Sequence, residues 1–266
     1  MPCRMAVPMT AREDTAPITY AAFAAEIASV FSANALALPD SAQTEQLYTL
    51  LCLLDRANRH MNLTAIRDAH GVLVRHFADC ALAAPCFPTH ALVADIGAGA
   101  GFPTLPLAIL RPDLQWVAVD ATAKRVEYVR QSAQTLSLHR VSAVCARAEA
   151  LGHASSFRES FDAVCARAVA RMHILCELCL PLCRVGGVFL AMKGKNALQE
   201  WDQAAHGATL LGGTLHKDHT LYLYDPNCSA AEPDACAARH VLCIAKTAPT
   251  PPLYPRAYGS IVKKPL

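Results

Sequence analysis

The sequence has little net charge and no long uninterrupted apolar run. Its formal net charge is +2 over 266 residues, so any nucleic-acid contact must come from a local basic surface. The longest apolar stretch near the N-terminus, residues 20–38, is interrupted by polar residues and fits a buried or amphipathic helix better than a membrane span. Residues 1–14 lack the apolar core of a secretion signal. We therefore expect a cytoplasmic protein with no membrane partner.

A disulfide framework is also not expected, although the chain has 12 cysteines. Such frameworks belong to small secreted chains, whereas 53% hydrophobic residues indicate a globular chain with a sizeable core. Cys176, Cys179 and Cys183, with His173 upstream, are spaced like metal ligands. The same spacing is one face of a helix, and no second Cys-x-x-Cys pair occurs. We expect core packing and no metal; zinc or iron–sulfur ligation is the alternative.

From about residue 91, short apolar runs alternate with helix-length segments. The apolar runs, predicted as strands, are 91–96, 115–120, 141–146, 161–166 and 187–192. The predicted helices between them are 104–110, 123–137, 170–183 and 196–209. This alternation predicts an open parallel sheet with right-handed crossovers. Residues 213–224 and 238–246 then predict an antiparallel hairpin at the sheet edge.

The region before this sheet has helical periodicity. Helices are predicted over 18–35, over 42–60, and from about Gly71 within 61–84. The predicted organisation is a flexible leader (1–16), an N-terminal helical cap (17–84), an α/β domain (85–248) and a basic C-terminal tail (249–266).

Three glycines at alternate positions, Gly97, Gly99 and Gly101, follow the first predicted strand. In a doubly wound sheet, ligands bind beyond the carboxyl ends of the strands, and glycine allows a close backbone approach. A dinucleotide-binding turn would read G-x-G-x-x-G, but Phe102 occupies the place of the third glycine. The spacing therefore favours a different nucleotide cofactor over a dinucleotide.

Two carboxylates indicate which cofactor this is. Asp95, before the turn, suits a ligand with a cationic amino-acid end, and Asp120, ending the second strand, can accept hydrogen bonds from both ribose hydroxyls. "DIGAGAGF" followed by "VAVD" resembles class I S-adenosylmethionine-dependent methyltransferases. Alternatives stay open for two residues: Asp95 could be an ordinary turn former, and Phe102 could belong to the core or pack against the cofactor.

Seven sequence blocks in one order narrow the resemblance. They are "NLTAIRD", "LVRHFADC", "DIGAGAGFPTLPLAI", "KRVEYVR", "RAE", "FDAVCARAVA" and "MKGK". Together they resemble the 16S ribosomal RNA (guanine-N7) methyltransferase G family, also called glucose-inhibited division protein B. The resemblance covers about residues 45–246, and the ending 254–266 is similar to endings in that family. The leader and the insert 225–237 lie outside it.

The resemblance implies an α/β class I methyltransferase fold, with a seven-stranded, mostly parallel sheet, an antiparallel edge hairpin and an N-terminal helical cap. It implies S-adenosyl-L-methionine as cofactor and guanine-N7 methylation of 16S ribosomal RNA, or of the small ribosomal subunit. No protein partner is implied, and we expect a monomer. With the residues of the turn, the cofactor-binding candidates are Asp95, Gly97, Gly99, Gly101, Phe102, Asp120, Ala121, Thr122, Ala148, Glu149 and Arg167.

Candidate RNA contacts are basic or polar residues near predicted strand ends, on the cap helices and in the tail, because phosphate affinity comes from cations. The chosen set is Arg75, His76, Arg171, Lys193, Lys195, Arg256, Lys263 and Lys264. A second group on the cap is Arg56, Arg59, His60, Asn62 and Arg67. Solvated surface charges are the alternative for each of them.

Methylation of guanine N7 needs no strong base, because N7 has an in-plane lone pair; alignment of the reactants is the main requirement. We therefore name no general base, and Arg167 could orient the methionine carboxylate or an RNA phosphate. Cys165 raises pyrimidine C5 methylation as an alternative, although the strand pattern favours a buried core residue. A small-molecule methyltransferase and a non-catalytic cofactor-binding module also stay open.

Overall fold

Seven strands form one sheet in the computed structural model, which describes residues 17–229 and 235–266. They are β1 (Leu92–Ile96), β2 (Gln115–Asp120), β3 (Val141–Cys145), β4 (Phe161–Arg167), β5 (Cys183–Lys193), β6 (Gly213–Tyr224) and β7 (Cys236–Lys246). Their order is β3-β2-β1-β4-β5-β7-β6. The first five pair in parallel, and β7 pairs antiparallel with β5 and β6. The predicted sheet and edge hairpin are confirmed.

The strand order reverses between β1 and β4, which run side by side at the centre of the sheet. Four of the five β1 residues are buried, as expected for a parallel strand covered on both faces. A reversal of this kind leaves a crevice at the carboxyl ends of the strands, where ligands bind in such sheets. The glycine turn directly follows β1 and therefore lies at this crevice.

Helices cover both faces of the sheet. They are α1 (Tyr20–Ala33), α2 (Ser41–Met61), α3 (Ala69–Val72), α4 (Asp79–Ala83), α5 (Thr104–Leu110), α6 (Ala123–Thr135), α7 (Ala148–Leu151), α8 (Met172–Cys179), α9 (Ala197–Leu210) and α10 (Tyr258–Lys263). Between α3 and α4 the segment Leu73–Ala78 is π-helical, and a 3₁₀ turn, Ala84–Cys86, follows α4.

One predicted boundary is wrong. The helix expected over 170–183 ends at Cys179, and β5 begins at Cys183, ahead of the predicted start at 187. Pro181 explains the early end of the helix, since proline cannot donate the helical hydrogen bond and clashes with the preceding turn. The backbone then enters the sheet through the pair Phe161 and Cys183.

The N-terminal helices share a core with the sheet. Phe23 of α1, Leu50 of α2 and Trp116 of β2 belong to one cluster of buried side chains. Asn34, after α1, donates from Nδ2 to the Tyr224 carbonyl (2.9 Å) and accepts from the Tyr224 amide (2.8 Å). The cap is thus fixed to the edge hairpin as well as to the sheet. The division between residues 17–84 and 85–248 stays a prediction.

The structure records no disulfide among the cysteines of the described segments. Cys176 and Cys179 of α8 and Cys183 of β5 are buried in one core cluster, and no metal-binding group of three ligands occurs in the described part of the chain. No helix among the same residues is long and apolar enough to span a membrane. The predicted leader 1–16, and residues 230–234 of the insert, lie outside the described residues.

Candidate active site

The glycine turn folds back onto the end of β2. The amides of Gly97 and Ala98 both donate to the Val119 carbonyl, at 2.8 and 3.0 Å. Gly97 has a φ of +75°, and a Cβ atom there would lie 2.6 Å from Cγ2 of Val169. Gly97 is therefore required by its backbone conformation and by the close approach of the loop that follows β4.

Asp120 connects the turn to the end of β2. Its Oδ2 accepts a hydrogen bond from the Gly99 amide (3.1 Å), and its Oδ1 accepts one from the Thr122 amide (2.8 Å). Arg125 Nη1 lies 3.7 Å from Oδ2. These contacts fix the carboxylate at the crevice, as the sequence predicted from its position at the strand end.

A groove of about 130 Å³ opens beside Asp120. It lies at the carboxyl ends of the first four strands, and we call it the adenosyl groove. Its lining includes Gly97, Asp120, Ala121, Ala148, Glu149, Arg147, Val169 and Tyr258. Five predicted cofactor-binding residues are thus together. The lining does not include Asp95, Gly99, Gly101, Phe102, Thr122 or Arg167.

Asp95 lies beneath the turn and is fully buried. Its Oδ2 accepts a hydrogen bond from the Thr104 hydroxyl (2.7 Å), and in the described part of the chain its Oδ1 has no hydrogen-bond partner. Burial raises the pKa of this carboxyl to about 7, against the opposing effect of Thr104. A cation bound at the turn would lower that pKa again, so the unpartnered oxygen fits a ligand with a cationic end.

Phe102 and His76 stack in the core, with ring centroids 4.3 Å apart and planes inclined by 14°. Arg167 Nη2 donates to His76 Nδ1 (3.0 Å), so Nε2 carries the proton that it donates to the Thr64 hydroxyl (3.0 Å). Burial and the nearby Arg167 charge lower the pKa of His76 to about 3. His76 is therefore neutral and buried in the protein alone, and its predicted RNA contact stays a prediction. Phe102 belongs to the core cluster, which was one of the two alternatives for it beside packing against the cofactor.

Arg167 joins the end of β4 to the helical cap. Its Nη1 donates to Cys80 Sγ (3.0 Å), its Nη2 to the Arg75 carbonyl (2.8 Å), and its Nε lies 3.3 Å from Asp79 Oδ2. Arg239 of β7 binds the other oxygen of Asp79 through Nε (2.6 Å). Arg167 is thus held by internal partners and does not line the adenosyl groove; its predicted contact with the methionine carboxylate or with an RNA phosphate stays a prediction.

A larger cavity of about 280 Å³ lies on the cap side of Arg167. We call it the cationic cleft, and its lining includes Asp79, Arg167, Ala168, Lys193, Gly194, Arg239 and His240. Lys193 Nζ donates to the Ala170 carbonyl and to Glu200 Oε2, both at 2.7 Å. Sequence reasoning missed Arg239 and His240. The sequence signal for them was the predicted edge strand 238–246, which pairs antiparallel with β5 in the structure and sets His240 opposite Lys193.

The other predicted RNA contacts divide into two groups. Arg75, Arg171, Lys195, Lys263 and Lys264 are exposed. Arg256 instead binds the buried Glu177 through Nη2 and Oε2 (2.6 Å), and its predicted RNA contact stays a prediction. On the cap, Arg59 pairs with Asp55 (2.8 Å), and Arg59 and Arg67 line a separate small groove.

The two cavities meet at the loop after β4. Val169 lines the adenosyl groove, whereas Arg167 and Ala168 line the cationic cleft. Ala168 has a φ of +56°, a backbone conformation that non-glycine residues adopt at turns and at functional sites. Three consecutive residues, the last of β4 and the first two of the loop that follows, therefore separate the adenosyl groove from the cationic cleft.

Comparisons with known proteins show which family the sequence matches. The model of the family described as "rRNA small subunit methyltransferase G" matches residues 43–221. The "Ribosomal RNA small subunit methyltransferase G" of Oceanobacillus iheyensis is 43% identical over 84% of this chain and 91% of its own length. The protein of the same name from Lactobacillus delbrueckii subsp. bulgaricus is 40% identical over 84% of this chain and 92% of its own.

A solved structure supports the fold alone. It is described as a complex between the Haloferax volcanii Trm112 methyltransferase activator and a putative methyltransferase. The matching chain is 13% identical, with a TM-score of 0.50 over 73% of this chain and 98% of its own.

The raised pKa of Asp95 predicts a pH-dependent stability. Because folding raises this pKa to about 7, the stabilisation from the protonated carboxyl is complete below the unfolded-state pKa and is lost as pH rises through the folded value. Asp95→Asn keeps an acceptor for Thr104 but cannot ionise. Its unfolding free energy, measured in urea, should therefore rise relative to wild type between pH 5 and pH 8. Asp202→Asn, at an exposed position of α9, is the matched control. Parallel profiles for Asp95→Asn and wild type would contradict the assignment.

Proposed function

Because the chain belongs to the rRNA small subunit methyltransferase G family, we propose that it transfers a methyl group from S-adenosylmethionine to N7 of a guanine in 16S ribosomal RNA. One observation carries the proposal: the loop of residues 167–169 separates the adenosyl groove from the cationic cleft. A methyl donor in the groove and an RNA base in the cleft would be next to each other at this loop.

The residues of the groove fit an adenosyl cofactor. Asp120 is already held by the Gly99 and Thr122 amides, so its oxygens are positioned to accept hydrogen bonds from ribose hydroxyls without reorganisation. Ala148 and Glu149 begin α7 and line the end of the groove next to β3. We assign the adenine to that end. The buried Asp95 beneath the turn is assigned to the ammonium of the methionine.

The proposed reaction requires the protein to align the two reactants, and it requires no proton transfer. S-adenosylmethionine, when bound, supplies a methyl group on a positively charged sulfur; the C–N7 bond forms as the C–S bond breaks and its electron pair stays on sulfur. Both ring nitrogens of His76 are engaged, and Nδ1 of His240 faces Asp218 (2.9 Å). These groups hold the walls of the cleft, and the reaction uses proximity and orientation.

The cationic cleft would receive the RNA. Lys193 and Arg239 line it, and each is paired with a carboxylate in the protein alone. Phosphates could share these cations and would make binding salt-dependent. The exposed residues Arg75, Arg171 and Lys195 are proposed to extend this surface, with Lys263 and Lys264 from the tail.

Mapping of 7-methylguanine in ribosomal RNA tests the function. RNA from cells with and without this gene, analysed by mass spectrometry, should differ at one guanine of 16S ribosomal RNA. Purified protein should restore that methyl group on small subunits or naked RNA from the deleted strain. Methyl transfer to a metabolite pool in place of RNA would support a small-molecule enzyme. Cofactor binding without any transfer would support a non-catalytic module.

Asp120→Ala is expected to weaken cofactor binding at least tenfold. The lost charge-assisted hydrogen bonds to the ribose are worth about 1.5–3 kcal/mol. Calorimetry with S-adenosylhomocysteine measures the change, and Asp202→Ala on the exposed face of α9 is the matched control. Thermal unfolding of the ligand-free variant checks the turn that Asp120 also supports. Unchanged affinity in a folded variant would overturn the assignment of the groove.

Cys165→Ala is expected to leave turnover within about twofold of wild type. Cys165 is fully buried in β4, and burial raises the pKa of its thiol well above the ordinary value, so little thiolate is present for attack. Methyl incorporation into small subunits, measured at saturating cofactor, checks this. A folded but inactive variant would favour the covalent pyrimidine mechanism instead.

A further inference from the structure

The C-terminal tail forms one wall of the adenosyl groove. Tyr258, the first residue of α10, lines the groove together with Asp120, Ala148 and Glu149. The Arg147 guanidinium lies over the Tyr258 ring, 5.8 Å from its centroid. An aromatic ring from far along the chain is thus placed beside the ends of β2 and β3.

A buried ion pair fixes the tail in this position. Glu177 of α8 is 0% exposed, and its Oε1 accepts from the Arg256 amide (2.8 Å) and from Arg256 Nε (2.9 Å), while Oε2 accepts from Nη2 (2.6 Å). A buried carboxylate is costly unless it is paired and hydrogen-bonded. Arg256 supplies the paired charge and the hydrogen bonds that Glu177 requires. It lies two residues before Tyr258. The neighbour of Glu177, Leu178, also lines the groove.

Further contacts hold the tail against the segment after α7. His153 Nε2 lies 2.6 Å from the Pro255 carbonyl, and Arg158 Nη1 donates to the Tyr254 carbonyl (2.8 Å). A Cβ atom on Gly152 would lie 2.6 Å from Pro255, so the tail packs directly on this backbone. The groove and the tail are therefore built as one unit.

We propose that Tyr258 binds the adenine end of the cofactor and that the Glu177–Arg256 pair positions it. Adenine is flat, and its π faces stack well against an aromatic ring or a guanidinium plane. Arg147 and Tyr258 present both kinds of surface beside Ala148 and Glu149. The inference deepens the proposed function and rests on its assignment of the adenosyl groove.

Calorimetry with two adenosine ligands tests the role of Tyr258. S-adenosylhomocysteine has the amino-acid end of the cofactor, and 5′-methylthioadenosine lacks it. Tyr258→Ala should raise the Kd of both ligands by about fivefold or more, the effect of losing one stacking surface, and by the same factor. Tyr258→Phe should stay within about twofold of wild type. Leu253→Ala, on the most exposed apolar side chain of the tail (72% exposed) and outside the groove, is the control.

The outcomes separate this inference from the proposed function. If wild type binds neither ligand, the groove assignment fails. If wild type binds both and Tyr258→Ala binds them equally well, only the role of Tyr258 fails. Tyr258→Leu keeps apolar volume without the flat ring and should also weaken both ligands, so the test stands if the alanine variant does not fold.

A double-mutant cycle tests the positioning role of Glu177. Glu177→Gln removes the charge that holds Arg256 and should weaken S-adenosylhomocysteine binding severalfold. In the Tyr258→Ala background the same change should have little further effect, because residues that act through one contact are not additive. Independent, additive effects in folded variants would overturn the positioning role, since general destabilisation does not depend on Tyr258.

Discussion

The site depends on one buried carboxylate held between two arginines. Asp79 of α4 is 8% exposed and binds Arg167 at the end of β4 and Arg239 in β7. A buried charge must be paired, and removal of one partner leaves the remaining buried charge uncompensated. The helical cap, the central sheet and the edge hairpin are therefore fixed to one another at this point. The same contacts hold the loop that divides the adenosyl groove from the cationic cleft.

Sequence patterns predicted the parts of the site that depend on local chemistry. Gly97 and Asp120 could be placed because a turn after β1 and a carboxylate ending β2 must meet in a parallel sheet. The positions of His76 and Arg256 could not be predicted in this way, because their contacts are with residues far along the chain. Arg256 forms an ion pair with Glu177, and His76 accepts a hydrogen bond from Arg167. A basic residue looks the same in sequence whether it faces solvent or a buried acid.

Long-range pairing also explains what was missed. Arg239 and His240 carry no motif of their own, and they enter the cleft because β7 runs antiparallel to β5 and sets His240 opposite Lys193. Tyr258 reaches the adenosyl groove because the tail is fixed by the buried Glu177. In both cases the fold brings a distant residue to a strand end that the sequence had already identified.

The ionisable groups near the site are engaged with internal partners rather than set for proton transfer. His76 is neutral and hydrogen-bonded, and Lys193 is paired with Glu200. Burial raises the pKa of Asp95 to about 7, but this carboxyl lies beneath the glycine turn and its proposed partner is the ammonium of the cofactor. A reaction that needed a general base would require an accessible one with a pKa near neutrality. The proposed attack by guanine N7 needs only alignment, and the ion pairs of Asp79 and Lys193 stiffen the walls that would supply it.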